Sequence, residues 1–419
     1  MKRPRTPPAA WTVLGAIAMT TIGTLPVFLL SSQSVFVREE LGFDETRFGI
    51  AVGTFFASAA VAALLGGRLA DRAGRRRSTV LAGTLAAAGG LGVAVAAHSW
   101  EVLIGLLVVL GVANAACQVT ANLALARAVP PHRRGLGFGV KQAAIPVSIM
   151  VAGLAVPTVT VLGGWRWTYV LTGLGGVAIA LAGLTIARST SAAPRAAPDE
   201  DRPPMRPLVV TMAAITLASA AANSLGAFLA SWGFAVGLTP SGAGVLMAAG
   251  SAVNIALRVT SGHLADRRHG RNLPVVAWQM LAGAVFLGLL SVPSPWVVVP
   301  AGLLAFGLGW SWPGLLLYAV VRLGRDAPAS ASAIVQAGAF VGGAAGPALF
   351  GVVVGTSGYP TAWWAASVAF AAAAVLVLLA RRMFLADLVR RPPREPFGYG
   401  GGRASPAHTT TPPEEGGPV

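Results

Sequence analysis

The sequence predicts an all-α membrane protein whose twelve transmembrane helices form two pseudo-symmetric bundles of six. Three observations lead to this fold class. The chain is more apolar than a soluble protein of its length, long apolar segments recur along it, and its two halves repeat each other. Because lipid offers no hydrogen-bond partner to an open backbone, we expect each apolar segment to be helical.

The composition excludes a soluble protein and gives no sign of an enzyme. Of the 419 residues, 55% are hydrophobic and 11% are charged, whereas a soluble domain carries roughly 25% charged residues. The single cysteine, Cys117, excludes an intrachain disulfide and most cysteine-based metal sites, so we expect no metal and no cofactor. The five histidines fall in predicted loops or at the ends of apolar segments, and no nucleophile–base set accompanies them.

Twelve apolar segments are long enough to cross a bilayer as helices, which takes about 18 residues or more. A soluble core does not accommodate so many. The first segment follows a basic N-terminus but ends without a small-residue cleavage site, so we expect a span rather than a signal peptide. The predicted spans, numbered one to twelve, are residues 11–32, 46–69, 79–97, 101–127, 136–161, 165–187, 207–232, 239–263, 273–292, 296–322, 329–355 and 361–380.

The net charge of +16 is divided unevenly between alternate loops. Counting from the N-terminal tail, one set of loops and tails holds 26 lysines and arginines, whereas the other holds only Arg38, Arg47 and Arg166. The positive-inside rule places the basic set, and with it both termini, in the cytoplasm, which requires an even number of spans. A nucleic-acid-binding protein would gather its charge on one face. We therefore expect the lipid bilayer of the plasma membrane, and no nucleic acid, as the partner.

Composition also divides the chain into five parts. Residues 188–206 are polar and proline-rich, which predicts a cytoplasmic linker between two six-helix bundles at 11–187 and 207–382. Residues 1–10 form a short cytoplasmic tail. Residues 383–419 are rich in Gly, Pro and Arg and bury too little apolar surface to fold alone, so we expect a disordered cytoplasmic tail.

An internal repeat relates the two halves. The segment "GGRLADRAGRRR" at 66–77 recurs as "SGHLADRRHGRN" at 261–272, and Gln142 and Gln336 lie in similar short sequences 194 residues apart. The segments "VLGVA" and "AFGLG" are separated by 196 residues. A parallel repeat of six spans is typical of secondary transporters whose halves rock about a site near the middle of the membrane.

The repeated loop resembles the signature loop of the major facilitator superfamily, and the resemblance extends over about residues 10–382. It implies the two-bundle fold and transport by alternating access. In that family the acid of the loop meets the neighbouring bundle and holds the cytoplasmic side shut. The resemblance therefore implies a gating role for Gly67, Asp71, Arg72, Gly74 and Arg75 in the first copy and for Gly262, Asp266, Arg267 and Gly270 in the second.

Two patterns of proton-coupled drug exporters in this superfamily are missing. Leu107 stands where those exporters carry an arginine in span four, and "AIPVSIM" replaces their glycine–proline pattern in span five. Both differences make a drug–proton antiporter the second choice rather than the first.

Lys141 and Arg258 are cations inside predicted spans five and eight. Lys141 lies about 10 Å inside the membrane boundary marked by Arg133 and Arg134. A charge within a span is costly and usually faces a functional cavity. The resemblance packs these two spans together, which places both cations on one wall, and no Asp or Glu lies in a predicted span core. We therefore expect a bound anion as the counter-ion. The alternative is that both side chains extend to the cytoplasmic interface.

Span eight adds a second resemblance. Asn254, Arg258 and Gly262 are spaced like the D-x-x-x-R-x-x-x-G segment of monocarboxylate carriers, in which the arginine holds the substrate carboxylate. The resemblance implies that Arg258 binds a carboxylate, with Asn254 and Gln142 hydrogen-bonding beside it. Because Asn254 replaces the acid, a proton relay through this position is not expected.

Further polar and aromatic residues are predicted to line the substrate cavity. Asn114 and Gln118 are four residues apart and share one helix face. Spans one, four, seven and ten line the cavity in the resembled fold, which adds Thr24, Asn223, Trp310 and Tyr318. The alternatives are hydrogen bonding between helices for the polar groups and anchoring at the membrane interface for Trp310.

The sequence thus predicts a monomeric transporter of a small, anionic organic or inorganic solute, coupled to protons or to a counter-anion. An exporter of a larger hydrophobic compound is the second interpretation. A membrane sensor that binds a ligand without moving it is a third, from a different class of protein.

Overall fold

A computed structural model of the chain describes residues 9–128, 141–186, 203–265, 272–323 and 328–390. Within these ranges all regular structure is helical, and eleven helices are long and apolar enough to cross a membrane. The longest of them breaks at Gly358 into two spans, so the chain crosses twelve times. The all-α two-bundle fold class is confirmed. The cytoplasmic location of the termini stays a prediction.

The helix bounds follow the predicted spans closely. Two π-helical turns, Val156–Thr160 and Ala305–Gly309, interrupt spans five and ten. The α-helices are Ala9–Ser32, Ser34–Leu41, Glu45–Ala96, Trp100–Ala128, Ala144–Ala155, Val161–Gly163, Arg166–Thr185, Met205–Ala235, Pro240–Ala265, Asn272–Leu289, Pro295–Leu304, Trp312–Leu323 and Pro328–Arg390.

Two helical segments go beyond the prediction. The loop after span one contains a short helix, Ser34–Leu41, which ends at Gly42 in the left-handed conformation. The last helix continues to Arg390, past the expected end of span twelve at residue 380. Its extension is held because Phe384 is fully buried and Leu388, four residues later on the same face, packs on the core. Residues 391–419, the main part of the predicted tail, lie outside the described ranges.

Glycines with positive φ reproduce the internal repeat in three dimensions. Gly42 (φ 65°) and Gly237 (φ 102°) are 195 residues apart, and Gly164 (φ 94°) and Gly358 (φ 82°) are 194 apart. A side chain with a Cβ atom is disfavoured at these angles, so each glycine allows a tight turn between helices. The same turn therefore occurs at equivalent positions of the two bundles.

The two bundles are closed against each other at the end opposite to the chain termini, the predicted extracellular end. Gly49 of span two lies against the backbone of Pro347 in span eleven, and the Thr46 hydroxyl donates to the Gly351 carbonyl over 3.3 Å. The absence of a side chain on Gly49 permits this approach. Nearby, the hydroxyls of Ser34 and Ser231 are 2.6 Å apart and join the bundles directly.

Candidate functional site

Arg258 joins the two bundles through its guanidinium. Its Nη1 donates to the Gln142 carbonyl oxygen over 3.2 Å, and its Nη2 donates to the Trp310 carbonyl oxygen over 2.9 Å. Its Nε is buried without a hydrogen-bond partner in the described structure. Gln142 lies in span five of the first bundle, just before the helix Ala144–Ala155, and Trp310 belongs to span ten of the second. The Arg258 side chain therefore lies at the bundle interface.

A break in span ten supplies the carbonyl that Arg258 binds. After the π turn Ala305–Gly309, the backbone of Trp310 leaves the helical conformation (φ −110°, ψ 12°). At such a break, backbone carbonyls lose the N–H donors that the next turn of a regular helix would supply. Asn254 of span eight donates from Nδ2 to the Phe306 carbonyl over 2.7 Å, one turn before the contact of Arg258. Asn254 and Arg258 therefore cap the broken helix, a role that the sequence analysis missed.

Lys141 points into the first bundle. Only 3% of its surface is exposed, and its Nζ donates to Oε1 of Gln118 in span four. This direction excludes the alternative in which the side chain extends to the membrane interface. Since Gln142 directly follows Lys141, the chain segment that carries the lysine also contacts Arg258. The structure thus places Lys141 beside Gln118 and Arg258 beside Gln142. That these four residues bind a substrate stays a prediction.

Both cations lack a carboxylate partner among the residues that the structure describes. Lys141 contacts the amide oxygen of Gln118, and Arg258 contacts two main-chain carbonyls. Neutral oxygens satisfy hydrogen bonds but leave the charge uncompensated, which is costly in a buried site. The pair therefore forms a positively charged region between the bundles.

Two arginines at the closed end differ from these two cations because they pair with acids. Arg38 lies 2.6 Å from a carboxylate oxygen of Glu45, and Arg166 pairs with Glu40. Partial burial raises the pKa of Glu40, but hydrogen bonds from Arg166 and Trp165 lower it more, so the pKa of Glu40 falls below its ordinary value. Glu40 therefore stays ionised, and this end is held by paired charges.

The two polar faces beside the site become more exposed toward the end that carries the chain termini. On span four, Asn114 is buried and Asn122, two turns further along the same face, is exposed. On span eight, Asn254 is buried, Arg258 is half-buried and Gly262 is exposed. The described residues beside the site are therefore buried toward the closed end and more exposed toward the other end.

Three predicted cavity residues occupy quite different surroundings. The Thr24 hydroxyl is 2.7 Å from that of Ser148, and Asn223 donates over 2.8 Å to the Ser219 carbonyl of its own helix. The structure therefore contains the alternative interpretation for Thr24 and Asn223, which is hydrogen bonding within and between helices. The Oδ1 atom of Asn114 is buried without a partner in the described part.

The two aromatic residues predicted to line the cavity, Trp310 and Tyr318, have different surroundings. Trp310 is 7% exposed and packs edge-on against Phe28 of span one, with ring centres 6.3 Å apart, and beside Phe306 at 5.5 Å. Its burial excludes anchoring at the membrane interface. Tyr318 instead lies under the guanidinium of Arg322, 4.6 Å from the ring centre. Phe28 and Phe306 had no distinguishing sequence pattern and were missed.

The gating residues are described only in part. Gly74 has φ 77° and ψ 163° and separates spans two and three, and the Arg75 carbonyl accepts a hydrogen bond from Thr79 at 2.9 Å. Gly262 has no neighbour within 4 Å of the place where a Cβ would lie, so the described structure contains no close helix contact at this glycine. The surroundings of Gly67, the side chains of Asp71 and Arg72, and the whole of Asp266, Arg267 and Gly270 lie outside the described residues. Their gating role stays a prediction.

Comparison with known proteins decides the family. The sequence model of the Major Facilitator Superfamily matches residues 11–327 and 208–410. The chain belongs to the major facilitator superfamily. This superfamily member is a multi-pass integral protein of the plasma membrane. The resemblance of span eight to monocarboxylate carriers stays a prediction.

Its relatives within the superfamily are named for different compounds. A chloramphenicol resistance protein of Streptomyces lividans is 30% identical over 384 residues, which are 85% of this chain and 93% of the relative. The galactose–proton symporter of Escherichia coli K12 is 30% identical over 154 residues, 37% of this chain and 33% of the symporter. The solved structure of a mutant form of the nucleoside transporter NupG is 16% identical, covers 89% of this chain and 100% of its own, and has a TM-score of 0.68.

The closed end of this superfamily member provides a direct test of its conformation. In Gly49→Leu the new side chain would collide with the backbone of Pro347 and force spans two and eleven apart. We expect faster maleimide labelling of a cysteine placed at Ser231, which is 4% exposed, in the purified protein. The native Cys117 is fully buried and should stay unreactive. Gly105→Leu is the matched control because open space surrounds Gly105. Equal labelling in both variants would contradict the closed-end assignment.

Proposed function

We infer that this protein is a secondary transporter of a small organic, carboxylate-type or inorganic anion, working by alternating access. The observation that carries this inference is the pair of cations, buried Lys141 and half-buried Arg258, whose described partners are neutral oxygens. Each bundle contributes one of them. An anion that enters between the bundles would supply the missing negative charge.

The cost of an uncompensated charge supports an anionic substrate. Removing one ion from water into a protein interior costs several kcal/mol unless an opposite charge accompanies it. Arg258 also keeps its Nε donor free in the described structure. The edge of a guanidinium that carries Nε and one Nη matches the two oxygens of a carboxylate. Arg258 would therefore bind the charged group, while Lys141 and the free Oδ1 atoms of Asn114 and Asn254 fix the remainder.

Export of a larger hydrophobic compound is the second candidate. It is favoured by the relative named as a chloramphenicol resistance protein, which the match covers over 93% of its length. The aromatic cluster of Phe28, Phe306 and Trp310 offers apolar contact area for such a compound. Against it, Leu107 is fully buried at the position where drug–proton exporters carry an arginine.

Binding and transport assays separate these candidates. Purified protein would be heated with acetate, lactate, benzoate and phosphate, and with lactamide and benzamide as uncharged controls. We expect at least one anion, and neither amide, to raise the melting temperature. The stabilising anion should then exchange across proteoliposomes. Stabilisation by the amides alone would contradict anion transport, and binding without exchange would indicate a sensor.

A further inference from the structure

We propose that the transported anion is a dianion with two separate negative groups, such as a short dicarboxylate. This proposal rests on the proposed function and narrows its substrate class. It follows from three properties of the site: the number of its charges, the number of its free donors, and the different directions in which the two cationic side chains point.

The first property is the charge count. No Asp or Glu occurs between residues 102 and 198 or between 202 and 265, so spans five and eight carry none. The described partners of both cations are neutral. A single negative charge would leave one of the two cations uncompensated, whereas a dianion neutralises both.

The second property is the number of unused donors. An ammonium has three N–H donors and a guanidinium has five. Lys141 uses one of its donors on Gln118, and Arg258 uses two on main-chain carbonyls, while its Nε is buried without a partner in the described residues. Each cation can therefore bind a carboxylate without giving up the contacts that hold its side chain in place.

The third property is direction. Lys141 extends toward span four of the first bundle, whereas Arg258 lies across the interface between Gln142 and span ten. The Nη1 atom of Arg258 is nevertheless 3.2 Å from the carbonyl of the residue that follows Lys141. Arg258 therefore contacts the segment that carries Lys141, although the two cationic side chains face different elements. This arrangement matches an anion with one negative group at each end. Such an ion would contact both bundles at once.

Matched pairs of ligands test this proposal in the wild-type protein. Each pair consists of a dicarboxylate and its half-amide, which has the same shape and one charge fewer: oxalate with oxamate, succinate with succinamate, and phthalate with phthalamate. Sulfate represents a compact dianion. We expect the dicarboxylate of at least one pair to bind about tenfold more tightly than its half-amide in thermal-shift titrations at pH 7.5.

The outcomes separate this proposal from the proposed function. If no dicarboxylate binds more tightly than its half-amide and sulfate does not bind, while a half-amide or an anion of the first panel does, the dianion is wrong and anion transport stands. If sulfate binds and no dicarboxylate does, the charge count is right and the two-ended shape is wrong. If none of these ions binds and the first panel of acetate, lactate, benzoate and phosphate is also without effect, both proposals fail.

A charge-matching variant adds a second measurement. Arg258→Gln removes one positive charge from the site, so its preference for the dicarboxylate over the half-amide should disappear. Arg382→Gln, at an exposed position on the last helix, removes the same charge outside the site and should keep the preference. An unchanged preference in Arg258→Gln would overturn the pairing of Arg258 with one of the two negative groups.

Discussion

Replacing Arg258 with alanine is expected to reduce the binding and exchange of the anion by about 30-fold or more. Truncating one partner of a buried, hydrogen-bonded charge pair costs about 2–5 kcal/mol. The change removes the guanidinium and also leaves the carbonyls of Gln142 and Trp310 without their donor. Anion exchange in proteoliposomes, normalised to the amount of folded protein, measures the loss.

Arg258→Lys distinguishes the shape of the side chain from its charge. A guanidinium has a fixed fork of donors that can bind two carbonyls and a carboxylate at once, and an ammonium does not. We therefore expect lysine to restore little of the lost exchange. If Arg258→Lys transports as well as the wild type, charge alone is sufficient and two-point binding by Arg258 is wrong.

Lys141→Arg is expected to separate transport from its driving force. The predicted span cores contain no carboxylate or histidine that could carry a proton, which leaves Lys141 and the substrate itself as the carriers in proton-coupled transport. Arginine keeps the positive charge but does not release its proton in the usual pH range. The variant should still bind and exchange the anion across vesicles, yet it should lose accumulation driven by a pH gradient.

Lys141→Gln is the companion variant for this experiment. Without the charge, both binding and exchange should weaken, so this variant identifies a loss of binding as distinct from a loss of coupling. Accumulation that persists in Lys141→Arg under a pH gradient would exclude the lysine as the proton carrier. The substrate's own acid group or exchange for another anion would then account for coupling.

The positions of the spans were predictable because they depend on one property, the length of an apolar segment. The turns of the repeat were also encoded locally, since Gly164 and Gly358 occupy equivalent places in the two bundles. The extension of the last helix depended on packing instead. Two apolar residues, Phe384 and Leu388, are too few to show a helical pattern in the sequence. Their role becomes clear only from their packing against the rest of the bundle.

The candidate site was predictable in its charges but not in its acceptors. A buried lysine and arginine stand out in any apolar sequence, and the repeat and the resemblance were sufficient to place spans five and eight together. The break at Trp310 was not predictable, because the glycines of "AFGLG" are compatible with an ordinary helix. Contacts such as that of Ser34 with Ser231 involve small, common residues and depend on the packing of the bundles.

The hydrogen bonds of Arg258 to main-chain carbonyls have a consequence for how this site varies among relatives. An acceptor on the backbone persists through every side-chain substitution at Gln142 or Trp310, provided that the path of the chain is kept. Two homologues could therefore differ at both positions and hold the arginine identically. Conversely, a single substitution that makes span ten a continuous helix would remove the Trp310 carbonyl as an acceptor, although every residue of the site stays the same. Residue identity alone is for this reason an incomplete guide to which relatives share the site.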